Sequence, residues 1–187
     1  MAIIVVGGSS KSVGKTALIC GILSAFPEIR WTAVKMTSHQ YSQSQPIWEE
    51  PATGSVVNSE KGTDTARFLA AGANRALLIT CERVEISQCV ELLLAKLEPG
   101  AHVIFESNQI VEYLEPDVCI GVAGKKNAEA KDSFATILNH ADALVVPADS
   151  DLELSTLTQG ITVFRYTTWE SVPGELLDWL RARLFAS

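Results

Sequence analysis

The stretch Ile3-Ile4-Val5-Val6-Gly7-Gly8-Ser9-Ser10-Lys11-Ser12-Val13-Gly14-Lys15-Thr16 constrains this chain more tightly than any other. Four β-branched residues in a row favour a buried strand. A run of Gly and Ser follows, and then an apolar segment over 17–26 that reads as a helix and stops at Pro27. Strand, small-residue loop and helix, in that order and ending in Gly-Lys-Thr, form the context of a phosphate-binding loop. Backbone N–H groups of Gly8, Ser9, Ser10, Lys11, Ser12, Val13, Gly14 and Ala17 would wrap phosphate oxygens, aided by the positive end of the helix dipole. Lys15 would reach the β- and γ-phosphates, and the Thr16 hydroxyl would ligate Mg²⁺. The usual spacing places the first glycine at position 9. Here that residue is Ser9, and the available glycine is Gly8. The competing reading is a Gly/Ser strand-to-helix turn that carries an exposed lysine.

The rest of the chain repeats the alternation. Strands are expected over 30–35, 75–81, 102–106, 117–122, 143–147 and 160–166. Helices are expected over 63–71, 86–97, 132–140 and 174–185. Thr63 is the expected N-cap of the second helix and Gly72 its stop. Short, continuously apolar strands alternating with helices imply an α/β, three-layer fold with a mostly parallel sheet of about six or seven strands. A chain of 187 residues suits one nucleotide-binding domain, 1–187. The stretch 36–62 lacks periodicity and is rich in Ser, Gln, Thr, Gly and Glu, so it reads as a long flexible loop of functional use.

Charge narrows the partners. The net charge is −7 and the pI near 5.0, with no basic run, which argues against nucleic acid. An anionic ligand must then be held by local geometry rather than by the overall field. No apolar run reaches the roughly 18 residues of a membrane span. An apolar strand so near the first residue leaves no room for a signal peptide, so the expected location is cytoplasmic. Cys20, Cys81, Cys89 and Cys119 show no C-x-x-C spacing and lie in or beside apolar runs, as reduced core thiols do.

In a parallel sheet, ligands sit at the carboxyl ends of the strands. That rule gathers the Gly-Lys-Thr loop, Lys35 and Glu106 on one rim. Glu106 closes an apolar strand, where a carboxylate can hold Mg²⁺ opposite Thr16. Lys35 and His39 open the long loop, a place for a segment that senses the γ-phosphate or substrate. Asp64 and Arg67 are one helical turn apart. They form either a second metal-side carboxylate with a substrate-facing cation, or an ion pair on a solvated helix face.

The order of the Gly-Lys-Thr loop, then Val34, Lys35 and His39, then Gly62, Asp64, Arg67, Ala71, Gly72 and Ala73, then a strand ending in Glu106, resembles MobB. That family comprises the GTP-binding accessory proteins of molybdenum-cofactor biosynthesis, and the resemblance covers residues 2 to about 122. It implies a P-loop NTPase fold, with phosphate and Mg²⁺ at Lys15 and Thr16 and with Asp64 and Glu106 near the metal. It also implies a molybdenum-cofactor biosynthesis enzyme as partner, and a homodimer. Two features depart from the family: the glycine spacing, and Ser107-Asn108-Gln109 after the strand-end acid, where MobB proteins carry a Glu-Gly-Phe-Lys type of stretch. The spacing from Gly8 to Lys15 is closer to dethiobiotin synthetase, an ATP-dependent family that also has a counterpart of Lys35. Ser10 stands where MinD-type dimers place their second lysine.

The expected activity is therefore Mg²⁺-dependent binding and slow hydrolysis of a purine nucleotide, GTP before ATP, with Lys15, Asp64 and Glu106 as catalytic residues. An ATP-dependent small-molecule ligase or kinase is one alternative, and a regulatory module that binds nucleotide without hydrolysing it is another. No N-K-x-D selects guanine. Segments 124–127 and 147–149 are the places where a base edge could be read.

Overall fold

A computed structural model describes residues 1–37, 47–49, 62–80, 86–124, 132–150, 160–169 and 171–185. The elements in chain order are β1 (Ile3–Gly8), α1 (Lys15–Ala25), β2 (Trp31–Thr37), β3 (Ile47–Glu49), α2 (Asp64–Ala70), β4 (Arg75–Thr80), α3 (Ile86–Leu94), β5 (His102–Glu106), β6 (Val118–Val122), α4 (Asp132–His140), β7 (Ala143–Pro147), β8 (Thr162–Tyr166) and α5 (Gly174–Leu184). One sheet runs β3-β4-β2-β5-β1-β6-β7-β8. Every pairing is parallel except β3 with β4. The seven expected strands form the parallel part, and the eighth is a three-residue antiparallel edge.

That edge strand corrects the sequence reading of 36–62 as loop throughout. Met36 and Thr37 extend β2, and Ile47–Glu49 pairs with β4. Residues 38–46 and 50–61 lie outside the described residues. A three-residue edge strand is held by backbone pairing to its neighbour and is too short to show a period of two. Helix α3 also ends three residues earlier than its apolar stripe suggests, because residues 95–97 close as turns onto Glu91, Leu93 and Leu94 carbonyls.

The central strands β1, β2, β5, β6 and β7 are buried on both faces, which is why they read as continuous apolar runs, whereas the edge strand β8 is partly exposed. One face packs Leu18, Ile19, Ile22 and Leu23 of α1, Phe68 of α2, and Leu176 and Leu180 of α5. The other packs Ile86, Val90 and Leu93 of α3 with Phe134 and Ile137 of α4. Burying each large aliphatic side chain contributes about 1.5–3 kcal/mol relative to leaving it exposed. Trp31, fully buried at the start of β2, satisfies its indole N–H on the Phe26 carbonyl at 3.1 Å.

Helix α2 shows how a short motif becomes local structure. The Thr63 side chain accepts from the Ala66 N–H at 3.2 Å and caps the helix start. At the other end Gly72 adopts φ +105°, Gly72 N–H donates to Leu69 O, and Ala73 N–H donates to Phe68 O. These two bonds close a Schellman stop, with Ala73 and Phe68 both buried beneath it. Two end signals thus fix a seven-residue helix and set Asp64 in its first turn, facing the sheet rim.

Candidate functional site

Strand β1 lies between β5 and β6, and its carboxyl end delivers the loop into the middle of the rim. Two side chains that follow neighbouring strands, or sit in the loop itself, fasten that loop. Asn108 accepts the Gly8 N–H at 2.7 Å and donates to the Gly8 carbonyl at 2.9 Å, while its amide also reaches Ser133 Oγ at 3.1 Å. Ser9 donates its N–H to Val122 O at 2.9 Å and accepts the Gly124 N–H at 3.0 Å through its hydroxyl. Gly8 has to be small, because a Cβ there would lie 2.7 Å from Val13 Cγ1 and 2.8 Å from Lys15 Cδ. The glycine displaced in sequence therefore serves to let the loop fold back over the strand end.

Beyond it, Ser12 at φ +61° and Gly14 at φ +109° bracket the buried Val13. Left-handed residues alternating with ordinary ones curl the backbone so that its N–H groups point into one concavity, a geometry suited to anions. Among the described residues the N–H groups of Ser10, Ser12, Val13 and Gly14 meet no acceptor. Gly14 then opens α1, and the helix start carries no side-chain cap. The Lys15 ammonium folds over this hollow to the Ser10 carbonyl at 3.0 Å, and Lys11 is exposed.

Next to the hollow stands a charge network built around one buried carboxylate. Register sets Val6, Glu106 and Lys35 side by side at the ends of β1, β5 and β2. Thr16 Oγ1 donates to Glu106 Oε2 at 2.8 Å, and the Lys35 ammonium donates to Glu106 Oε1. Lys35 also pairs with Asp64 Oδ2 at 3.1 Å, whose other oxygen faces Arg67 at 3.5 Å. Glu106 is only 3% exposed. Burial pulls the Lys35 ammonium down, but the Glu106 and Asp64 carboxylates together outweigh it and hold its pKa above the ordinary value. The sequence reading kept both options open for Asp64 and Arg67. They do form the i, i+3 pair, and Asp64 also joins the rim network.

The structure thus brings together Lys15, Thr16, Lys35, Asp64 and Glu106, with Arg67 at the margin. His39 lies outside the described residues. Thr16, Glu106 and Asp64 offer hard oxygen donors of the kind Mg²⁺ prefers, few enough that phosphate oxygens and water would complete an octahedron. Among the described residues no group of three or more His, Cys, Asp and Glu could hold a metal by protein ligands alone.

Two residues escaped the sequence reading. Asn108 could have been found from its place two residues beyond a strand-end acid. Trp169 could not, because it comes from the β8–α5 connection, far along the chain. Its indole lies on Gly14, where a Cβ would sit 2.0 Å from Cε2, and Tyr166 stacks on it with ring centroids 3.9 Å apart. Below it a groove of about 530 Å³ runs along α1, lined among others by Ala17, Cys20, Arg67, Trp169 and Val172. Burial pushes the Cys20 thiol in this groove up to about 11, so it is protonated at neutral pH. Cys89 and Cys119 are buried free thiols, as expected of core cysteines, and Cys81 lies outside the described residues.

Of the two segments considered for a base edge, 125–127 lies outside the described residues. The 147–149 turn is held against β8 by Ala148 N–H on the Tyr166 carbonyl at 2.7 Å.

The fold is similar to that of solved structures, two of which are these. HypB from Helicobacter pylori, solved in complex with nickel, superposes with a TM-score of 0.60 at 15% identity, over 97% of this chain and 86% of that one. LpxK from Aquifex aeolicus, solved in complex with ATP, gives 0.56 at 20% identity, over 95% of this chain and 60% of that one. The chain has the P-loop NTPase fold. Residues 8–16 join the central strand β1 to the first helix α1. No protein-family model matches the chain, and no curated protein matches it significantly. Among the described residues, no helix is long and apolar enough to cross a membrane.

Proposed function

We propose that this P-loop protein binds a purine nucleoside triphosphate with Mg²⁺ and hydrolyses it slowly, GTP in preference to ATP, as an accessory to a molybdenum-cofactor biosynthesis enzyme. The observation that carries the nucleotide reading is the Thr16–Glu106 hydrogen bond beside a loop of unpaired N–H groups. A helix-start hydroxyl and a buried strand-end carboxylate meet within hydrogen-bond reach of each other, at the edge of the loop. Bound Mg²⁺ would neutralise charge on the β- and γ-phosphates. Thr16 and Glu106 would hold it, with Asp64 on the same side. Lys15 would leave the Ser10 carbonyl for the phosphates, and the loop N–H groups would orient them. An acidic protein holds such an anion by these local donors. Slow turnover follows from having no arginine or glutamine placed in a fixed motif to complete the transition state. The accessory role and the preference for GTP rest on the resemblance of residues 2 to about 122 to MobB.

A second reading has one observation in its favour. The groove beside Arg67 is large enough for a small substrate next to the charge network, as an ATP-dependent ligase or kinase would need. Calorimetric titration with non-hydrolysable GTP and ATP analogues plus Mg²⁺, on the wild type and Lys15→Ala, separates the two. Tighter binding of the GTP analogue, lost in the variant, supports the first. Tighter binding of ATP moves the assignment to the second, and binding of neither refutes both.

A further inference from the structure

We infer that the indole of Trp169 is the platform on which the base of the bound nucleotide stacks, an inference that rests on the nucleotide reading above. The rim has a polar end and an aromatic end. Thr16, Glu106, Lys35 and Asp64 lie on the β5–β2 side of β1, where the charges suit the terminal phosphate and its cation. A nucleotide whose phosphates point into that end must direct its sugar and base the other way, over the start of α1 and toward the β6–β7–β8 side.

Trp169 stands there. Its ring edge lies against Gly14, the residue that opens α1, so close that any side chain at position 14 would collide with Cε2, Nε1 and Cζ2. It also lines one end of the groove with Ala17, one residue beyond Thr16, while Arg67, at the margin of the charge network, lines the same groove. Tyr166 stacks on the indole at 3.9 Å between centroids and an interplanar angle of 31°. The Tyr166 backbone is fixed by its pairing with Pro147 and by the Ala148 N–H. The indole is therefore supported by a second ring on a rigid strand end, yet it stays half-buried rather than enclosed. A large aromatic surface held in place beside a phosphate loop is suited to receive a flat base.

Stacking reads the face of a base and not its edge. Trp169 thus supplies affinity for any purine in a chain without N-K-x-D, and the choice between guanine and adenine is made elsewhere.

The test is calorimetric titration, with Mg²⁺, of three probes: the non-hydrolysable GTP and ATP analogues and ribose 5′-triphosphate, which has the sugar and phosphates but no base. Trp169→Ala is expected to weaken both analogues by roughly tenfold or more, the loss of one base–aromatic stack, and by a similar factor for each. Ribose 5′-triphosphate is expected to bind the variant and the wild type alike, and Trp169→Phe to keep most of the analogue affinity. Unchanged analogue affinity in Trp169→Ala overturns the inference. So does an equal loss for ribose 5′-triphosphate, which would make Trp169 a support for the loop. Should Trp169→Ala fail to fold, the wild type still decides, because ribose 5′-triphosphate binding as tightly as the analogues also overturns it. Failure of the wild type to bind any of the three refutes the nucleotide reading itself.

Discussion

The Thr16 hydroxyl donates to Glu106 Oε2 at 2.8 Å across a separation of 90 residues, joining the start of α1 to the end of β5. The same carboxylate holds Lys35 through its other oxygen, so Glu106 is the node of the rim. Glu106→Gln keeps the shape and removes the charge. It is expected to weaken the Mg²⁺ dependence of nucleotide binding by tenfold or more, in the order of a lost charge-assisted contact of about 1.5–3 kcal/mol. Calorimetry with and without Mg²⁺ checks it, and an unchanged Mg²⁺ dependence removes Glu106 from the metal side.

Lys35→Met leaves a nearly buried carboxylate without its cation. Breaking such a pair from one side costs about 3–5 kcal/mol, whereas removing both partners is far cheaper. Lys35→Met should therefore be strongly destabilised, and the Lys35→Met/Glu106→Gln double variant should recover much of the loss. Urea unfolding of the four-member cycle measures this, and additive losses would show that the pair is not coupled.

Asn108→Ala removes both bonds that fasten Gly8. It should destabilise the fold by about 1–3 kcal/mol and loosen the loop, weakening binding of the triphosphate more than a substitution remote from the rim would. Asn108→Asp retains an acceptor for the Gly8 N–H but faces the Gly8 carbonyl with a second acceptor, so it should not rescue. Rescue by aspartate would mean that only the 2.7 Å bond matters.

At Gly14 two obstacles coincide: the backbone is held at φ +109°, and a Cβ there would meet the indole of Trp169 at 2.0 Å. Gly14→Ala should lower the melting temperature. Adding Trp169→Ala should return only part of the loss, since the backbone strain remains. Full recovery would make the clash the whole effect.

His102 sits at the start of β5, edge-on to Trp31, with Nδ1 buried and unmatched among the described residues. Burial, and then the nearby N-terminal ammonium, hold its pKa below the ordinary 6.5, against a smaller pull from Asp117. Below 6.5 the unfolded chain takes up the proton before the folded one, so its contribution to stability is intact above that value and falls as pH drops toward the folded pKa. His102→Leu removes this loss. Thermal unfolding from about pH 7.5 to about pH 5 should show the variant gaining on the wild type as acid is added. Parallel curves would contradict it.

Much of the fold was legible in the residues themselves. Four β-branched positions, a Gly/Ser loop and an apolar run ending at Pro27 specify β1 and α1 through local sterics and burial. Thr63 and Gly72 bound α2 by hydrogen bonds within a few residues. The alternation of apolar runs implies the parallel sheet, and the rule that ligands sit at strand carboxyl ends selects Lys15, Thr16, Lys35 and Glu106.

Tertiary structure alone decided how those residues meet. Strand order puts β5 between β1 and β2, and only that order lets Glu106 face both Thr16 and Lys35. The clamp of Asn108 on Gly8, the indole of Trp169 on Gly14 and the three-residue edge β3 belong to the same class. Each depends on segments far apart in the chain being brought to one edge, and pattern or propensity within a window carries no information about that distance. Sequence determined which residues could bind phosphate and metal; packing determined which of them share a site.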